Sequence, residues 1–233
     1  LDIRQGPDGS LYVLDWSDAG ECHEHTGVHR TSGRIYRLRH GPDAAPDFTS
    51  LETLSAEGVR TLLADSNPWF ERQLRRRLVG GGDRAVLGPV LRETVFSGGE
   101  TVVRLRAMWA LHGWGEPRET WRALLDDEDE FVRCWAIRFL VDSHPIDTIV
   151  GPRSGSMPEP LDDSLLEQFV ALAGADPSGP VRLTLASSLQ RLPLEQRARL
   201  GRALASRSED AGDHNLPAMV WWGVSPLVES DPM

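Results

Sequence analysis

Two stretches, DDEDEFVRCWAIRFL (126–140) and ADPSGPVRLTLASSL (175–189), share one frame, and it constrains the fold more than anything else in the chain. In each, an Asp stands six residues before the Arg of a Val-Arg pair: Asp127 before Arg133, and Asp176 before Arg182. Three residues after the Arg comes an apolar residue, Ala136 or Leu185, and four further on a Leu, Leu140 or Leu189. ETVVRLRAMWAL (100–111) repeats the frame at Val103-Arg104, Ala107 and Leu111 without the Asp, and NPWFERQLRRRLV (67–79) reads as a degenerate copy centred on Arg72. The four arginines are 32, 29 and 49 residues apart. The first two spacings suit repeats of helical pairs, because one pair cannot bury its own apolar face and has to stack on its neighbour. The third is too long, and its excess coincides with the Pro/Gly/Ser-rich HPIDTIVGPRSGSMPEP (144–160), which reads as an insertion.

The frame resembles the HEAT family of α-solenoid repeats. That resemblance implies an acidic turn capping the second helix of each pair, and an Arg pairing with acids of the same or the adjacent repeat. The expected fold is mostly α: a HEAT-like α-solenoid of about four helical pairs over residues 51–233. Its first helix is LETLSAEGVRTLLAD, with Ser50 as N-cap and Leu54, Val59, Leu62 and Leu63 on the apolar side. The tryptophans at 69, 109, 114, 121, 135, 221 and 222 recur in helical segments and are expected to fill space between helices.

Residues 1–40 have a different period. LDIRQ, LYVLDW and RIYRLR are short and rich in Leu, Ile, Val and Tyr, with turn-forming residues between them. Pro7-Asp8-Gly9 suits a tight turn, since Pro presets φ, Asp bonds to backbone and Gly accepts positive φ. GPDAAPDFTS (41–50) reads as a linker. A three-stranded β segment therefore precedes the helices.

Composition removes several functions. All 25 basic residues are arginine, so no Schiff base, phosphate-loop lysine or Ser-Lys dyad can be assembled. A net charge of −10 argues against a nucleic-acid backbone as general partner. The one dense basic run, Arg75-Arg76-Arg77, reads as a solvated helix face. GGGD (80–83) follows a helix and lacks the strand-to-helix setting of a phosphate cradle, so it reads as a linker. No apolar run reaches membrane-spanning length. The start, LDIRQGPDGS, has no export pattern and no initiator Met, as expected of a piece of a longer protein. Cys22 lies in a polar loop and Cys134 in an apolar helical stretch, and nothing in the sequence joins them.

At the front, IRQGPDGSLYVLDW followed by RTSGRIYRL resembles a blade of the glucose/sorbosone dehydrogenase-like β-propellers. The succession of that blade with its GECHEH loop, then NPWFERQLRRRL, then DHNLPAMVWWG, is similar to the membrane-bound dehydrogenase family of planctomycetes and relatives. The resemblance implies an incomplete propeller blade over 1–40, with helical repeats serving as scaffold between the propeller and a downstream haem domain. It further implies a periplasmic or cell-envelope parent that oxidises a sugar or polyol through a quinone cofactor, this piece itself being non-catalytic. One departure matters: Ala19 stands three residues before Cys22, so there is no Cys-x-x-Cys-His, and c-type haem attachment is not encoded here. The rival expectation is a HEAT-repeat interaction scaffold whose degenerate propeller binds carbohydrate or protein.

Chemistry-bearing side chains concentrate between Asp15 and Arg34. Cys22, His23, His25 and His29 are candidate metal ligands; His25 and His29 have the i,i+4 spacing that shares a metal on a helix, whereas adjacent Cys and His seldom ligate one ion together. The alternative is a polar loop whose His and Asp residues satisfy backbone groups. On the resemblance, Arg30 or Arg34 contacts an anionic or hydroxylated ligand; structurally, either could form an ion pair with Asp15 or Asp18 that locks the loop. Trp16 is a candidate sugar-stacking platform. Asp213-His214-Asn215 reads either as an acid–base pair or as a helix start with Pro217 in the first turn, and the second reading is taken.

Overall fold

A computed structural model of the chain describes residues 2–15, 33–42, 45–148, 151–152 and 159–230. Among these, helices dominate and follow a three-stranded antiparallel sheet. The chain divides into two compact units, Leu1–Trp114 and Gly115–Met233.

In the first unit, β1 (Asp2–Gln5), β2 (Leu11–Asp15) and β3 (Arg34–Leu38) lie in sequence order. Ile3 pairs with Val13, and Val13 with Tyr36. The Pro7-Asp8-Gly9 turn forms as its residues dictate: Gly9 sits at φ 76°, and the Asp8 carboxylate accepts from the Ser10 amide at 3.1 Å. Asn67 ties the sheet to the helices by donating from Nδ2 to the Gly6 carbonyl at 2.8 Å.

Residues 49–64 form two helices rather than the single one expected from Ser50. α1 (Thr49–Thr53) ends at Leu54, which adopts a left-handed conformation with φ 43°. Ser55 then caps α2 (Ala56–Ala64), its hydroxyl accepting from the Gly58 amide at 3.0 Å. A side chain that captures an orphan amide three residues on starts a new helix there, and the preceding backbone has to turn. Val59, Leu62 and Leu63 are buried as expected. α3 (Pro68–Gly81), α4 (Arg84–Phe96) and α5 (Thr101–Gly113) complete the unit, with α2 against α4 in one layer and α3 against α5 in the other.

The second unit repeats this two-layer plan. α6 (Arg118–Arg122), α8 (Asp163–Ala175) and α10 (Leu194–Ala205) supply first helices; α7 (Glu130–Val141), α9 (Gly179–Ser188) and α11 (Leu216–Ser230) supply second helices. α7 packs on α9 and α9 on α11, while α8 packs on α10. Within each unit the helical pairs thus stack as repeats do, each covering its neighbour's apolar face. The insertion contributes a short hairpin, β4 (Asp147–Thr148) and β5 (Gly151–Pro152).

Four of the second helices begin with the same local device. Asp65, Asp127, Asp176 and Asp213 each accept from the amide two residues on, at 2.7, 3.0, 2.8 and 2.8 Å, just before α3, α7, α9 and α11. Asp213 accepts from the Leu216 amide as well, at 2.7 Å, so Asp213-His214-Asn215 is a helix start and not an acid–base pair. GGGD is equally structural: Gly80 and Gly81 end α3, and Asp83 caps α4. Counting six residues from Asp65 reaches Glu71, not Arg72, so the first copy of the frame carries an acid where the later copies carry Arg133 and Arg182. Glu71 is buried and pairs with Arg75, which also lies over the Trp109 ring, while Arg76 and Arg77 face solvent.

Trp114 and Trp121 are core residues, and the Trp114 indole donates to the Leu78 carbonyl at 2.6 Å. Trp221 and Trp222 are not core, being 56% and 44% exposed. Both lie on α11, the last helix among the described residues, and no further pair covers its outer side there.

Candidate functional site

Of the residues between strands β2 and β3, the described structure holds the two ends. Asp15 closes β2, Arg34 opens β3, and they stand directly opposite one another across the strand pair. Asp15 is half-buried and Arg34 is exposed, with Nη1 donating to the Gly33 carbonyl at 3.1 Å. Two of the ligand candidates are thereby brought together. Trp16 and Arg30, and the metal candidates Cys22, His23, His25 and His29, lie outside the described residues. Among the described residues there is no grouping of three or more His, Cys, Asp or Glu side chains that could hold a metal ion.

The sheet carries a polar centre that the sequence reading missed. Asp8 accepts from the Ser10 hydroxyl at 2.9 Å and pairs with Arg37 of β3, whose Nε donates to that hydroxyl at 3.1 Å. Burial acts to raise the Asp8 pKa, but the Ser10 hydrogen bonds and the Arg37 guanidinium prevail and hold it below its usual value. The arrangement locks the β1–β2 turn to β3.

The densest set of buried charges lies in the second unit and is a ladder of arginines. Arg133 sends Nε and Nη2 to the two Asp176 oxygens at 2.8 and 2.9 Å, and Nη1 to the Asp127 and Glu128 carbonyls at 2.7 and 3.2 Å. Arg182 repeats the pattern one pair later: Nε reaches Asp210 at 2.6 Å, Nη2 takes the other Asp210 oxygen, and Nη1 donates to the Asp176 carbonyl at 2.8 Å. Each guanidinium therefore closes the turn of its own pair, six residues back, and grips an acid of the next. This matches the pairing the HEAT resemblance implied, with the acid in the adjacent repeat. Planar forks of this kind suit arginine and not lysine. Hydrogen bonding to Asp176 raises the Arg133 pKa and bonding to Asp210 raises that of Arg182, in each case against burial. Both remain cations and have no proton to exchange at neutral pH.

Arg197, almost wholly buried, makes a third cross-link. It donates to the Leu192 carbonyl at 2.7 Å and to Asp147 of the insertion hairpin at 2.9 Å. In the first unit Arg104 donates from Nε to the Val95 carbonyl at 2.8 Å. There Arg106 closes the Asp65 turn instead, donating to the Leu63 and Asp65 carbonyls at 2.7 Å each.

No family model, no curated protein and no solved structure matches this chain.

Two further buried reactive groups, Cys134 and His144, take no part in the arginine ladder. Cys134 is a free thiol in the core, its pKa pushed up by burial. His144 is buried after α7, and burial, with Arg118 adding to it, lowers its pKa so that the neutral ring is favoured. The described part of the chain does not fit a covalently attached haem, and no helix among the described residues is long and apolar enough to cross a membrane.

Proposed function

We propose that the helical part of this chain is a scaffold, and that its β segment is one blade of a propeller in a dehydrogenase-like protein acting on a sugar or polyol. The observation that carries the scaffold reading is the committed state of the buried guanidinium groups. Arg133, Arg182 and Arg197 each divide their donors between a carboxylate and main-chain carbonyls. Groups bonded in this way fix the separation of helical pairs, and every nitrogen of the three guanidiniums already donates within the chain. The blade reading draws on the sheet: Ile3, Leu11, Ile35, Tyr36 and Leu38 are exposed, and neighbouring blades would cover such residues. In this arrangement the repeats hold the propeller, with its quinone, at a set distance from a periplasmic or envelope-bound haem domain that accepts electrons.

The test uses the gene product carrying the further blades and the haem domain, as wild type and as Arg182→Ala. Dye-linked oxidation is followed across a panel of sugars and polyols with added quinone, alongside reduction of the protein's own haem. The reading expects dye-linked turnover to survive the substitution while haem reduction slows. Failure of every substrate would leave only an interaction scaffold with a carbohydrate- or protein-binding propeller. Unchanged haem reduction in the variant would remove the scaffold role.

A further inference from the structure

We infer that a groove in the second unit, between the α6–α7 turn and the α8–α9 turn, receives an arginine or lysine side chain from an extended segment of a partner protein. The groove encloses about 540 Å³, a size in the range of ligand-binding clefts. Its accessible apolar lining is Ala171, Leu172, Ala175 and Pro177, with Gln168 beside them and Leu125 buried behind. Its floor is the Arg133–Asp176 pair, whose opposite charges cancel through a two-pronged bond.

The field inside the groove is therefore set by the two exposed acids of the turn, Asp126 and Glu128, the Asp127 carboxylate being engaged by the Asp129 amide. Asp126 and Glu128 are exposed, and among the described residues no hydrogen bond or ion pair engages either side chain. Arg122, at the end of α6, is committed to Gln168, Ser164 and Asp162. An anion entering the groove would meet the exposed carboxylates of Asp126 and Glu128. An uncharged apolar group would strip water from those carboxylates without replacing it. A long cationic side chain satisfies both parts of the surface, its aliphatic stem against Ala171, Leu172 and Ala175 and its charged head at the acids. The chain's net charge of −10 fits a protein that recruits basic partners.

The probe is a fluorescein-labelled Gly-Leu-Arg-Leu-Gly peptide, compared by fluorescence anisotropy with a counterpart in which uncharged citrulline replaces the arginine. Saturable binding is expected, with the citrulline peptide weaker by about tenfold. The double variant Asp126→Asn/Glu128→Gln, at two exposed positions, should weaken the arginine peptide by a similar factor. Ala171→Trp, which fills the groove and leaves every charge in place, should abolish binding. Glu52→Gln/Glu57→Gln, a matched loss of charge in the first unit, should change affinity by less than about twofold. Equal binding of the two peptides would overturn the proposal in favour of a purely apolar site. An inert Ala171→Trp, or equal weakening by both double variants, would overturn it in favour of diffuse attraction to an acidic protein. No saturable binding would overturn it outright.

Discussion

Replacing Asp176 with Ala removes the acceptor of both Arg133 prongs and of the Ser178 amide in one step. The side chains of the pair are 10% and 2% exposed, so little water can take the place of the lost carboxylate. Stranding one member of a buried ion pair costs about 3–5 kcal/mol. Arg133 keeps its bonds to the Asp127 and Glu128 carbonyls and its side chain has a narrow opening to solvent, which favours the lower end, near 3 kcal/mol. Loss of the turn acceptor before α9 adds about 1 kcal/mol. The sum, about 4 kcal/mol, is a large share of a domain's total stability. Hydrogen exchange read by mass spectrometry on α7 and α9 should report that loss as faster opening, and urea unfolding should show an earlier transition. Arg60→Ala breaks a pair whose side chains are 45% and 64% exposed, and should cost no more than about 1 kcal/mol. Arg133→Met combined with Asp176→Leu should recover most of the loss, because an apolar pair of similar volume needs no solvation. A cost below about 1 kcal/mol for Asp176→Ala, or no recovery in the double variant, would refute the claim that the ladder binds the pairs together.

Three further outcomes follow from single residues. His144 is buried near Arg118, Arg191 and Glu159, and its folded pKa is lowered from the ordinary 6.5, so its contribution to stability is complete above that value and is lost as pH falls through the lowered one. The thermal midpoint of the wild type should therefore drop more steeply on acidification than that of His144→Leu, and parallel curves would exclude the histidine as the cause. In a Cys22→Ser background, Cys134 should react with an aromatic disulfide reagent only at the rate of unfolding, since burial keeps it a thiol; rapid labelling of the folded chain would contradict its placement. Gly223→Ala puts a methyl 2.5 Å from the Leu189 Cβ and should destabilise by about 1–3 kcal/mol, whereas Gly174→Ala in α8 meets nothing within 4 Å and should stabilise by about 0.5–1 kcal/mol; paired thermal melts test the contrast.

The helical pairs were legible because their signal is periodic and local. Val-Arg followed by apolar residues at three and seven positions on marked α5, α7 and α9, and the insertion after Val141 showed itself by its length. What stayed hidden was the identity of each partner. Asp210, Asp147 and the Val95 carbonyl lie in segments with no shared spacing to their arginines, so only the chain's path brings them together. The displaced first copy was missed for a related reason: Arg72 stands beside the frame position, and a run of four basic residues between 72 and 77 drew attention from buried Glu71. The turn before α3, α7 and α9 was readable, since an Asp two residues before a helix-capping Asn67, Asp129 or Ser178 recurs at 65, 127 and 176, while before α11 Asp213 itself takes the helix amide. The break at Leu54 was not, because leucine gives no sign of a left-handed backbone. Among the candidate site residues, Asp15 and Arg34 stand opposite because hairpin register opposes the last residue of one strand to the first of the next, whereas the sequence left Arg30 or Arg34 open to Asp15, Asp18 or a ligand.

Asp176 presents its carboxylate to the arginine before it and its carbonyl to the arginine after it. A residue with two such ends works as a coupling of uniform gauge. Because the carboxylate and the carbonyl belong to one residue, the spacing on its two sides cannot be changed separately: any shift of the α8–α9 turn is passed to both neighbouring pairs at once.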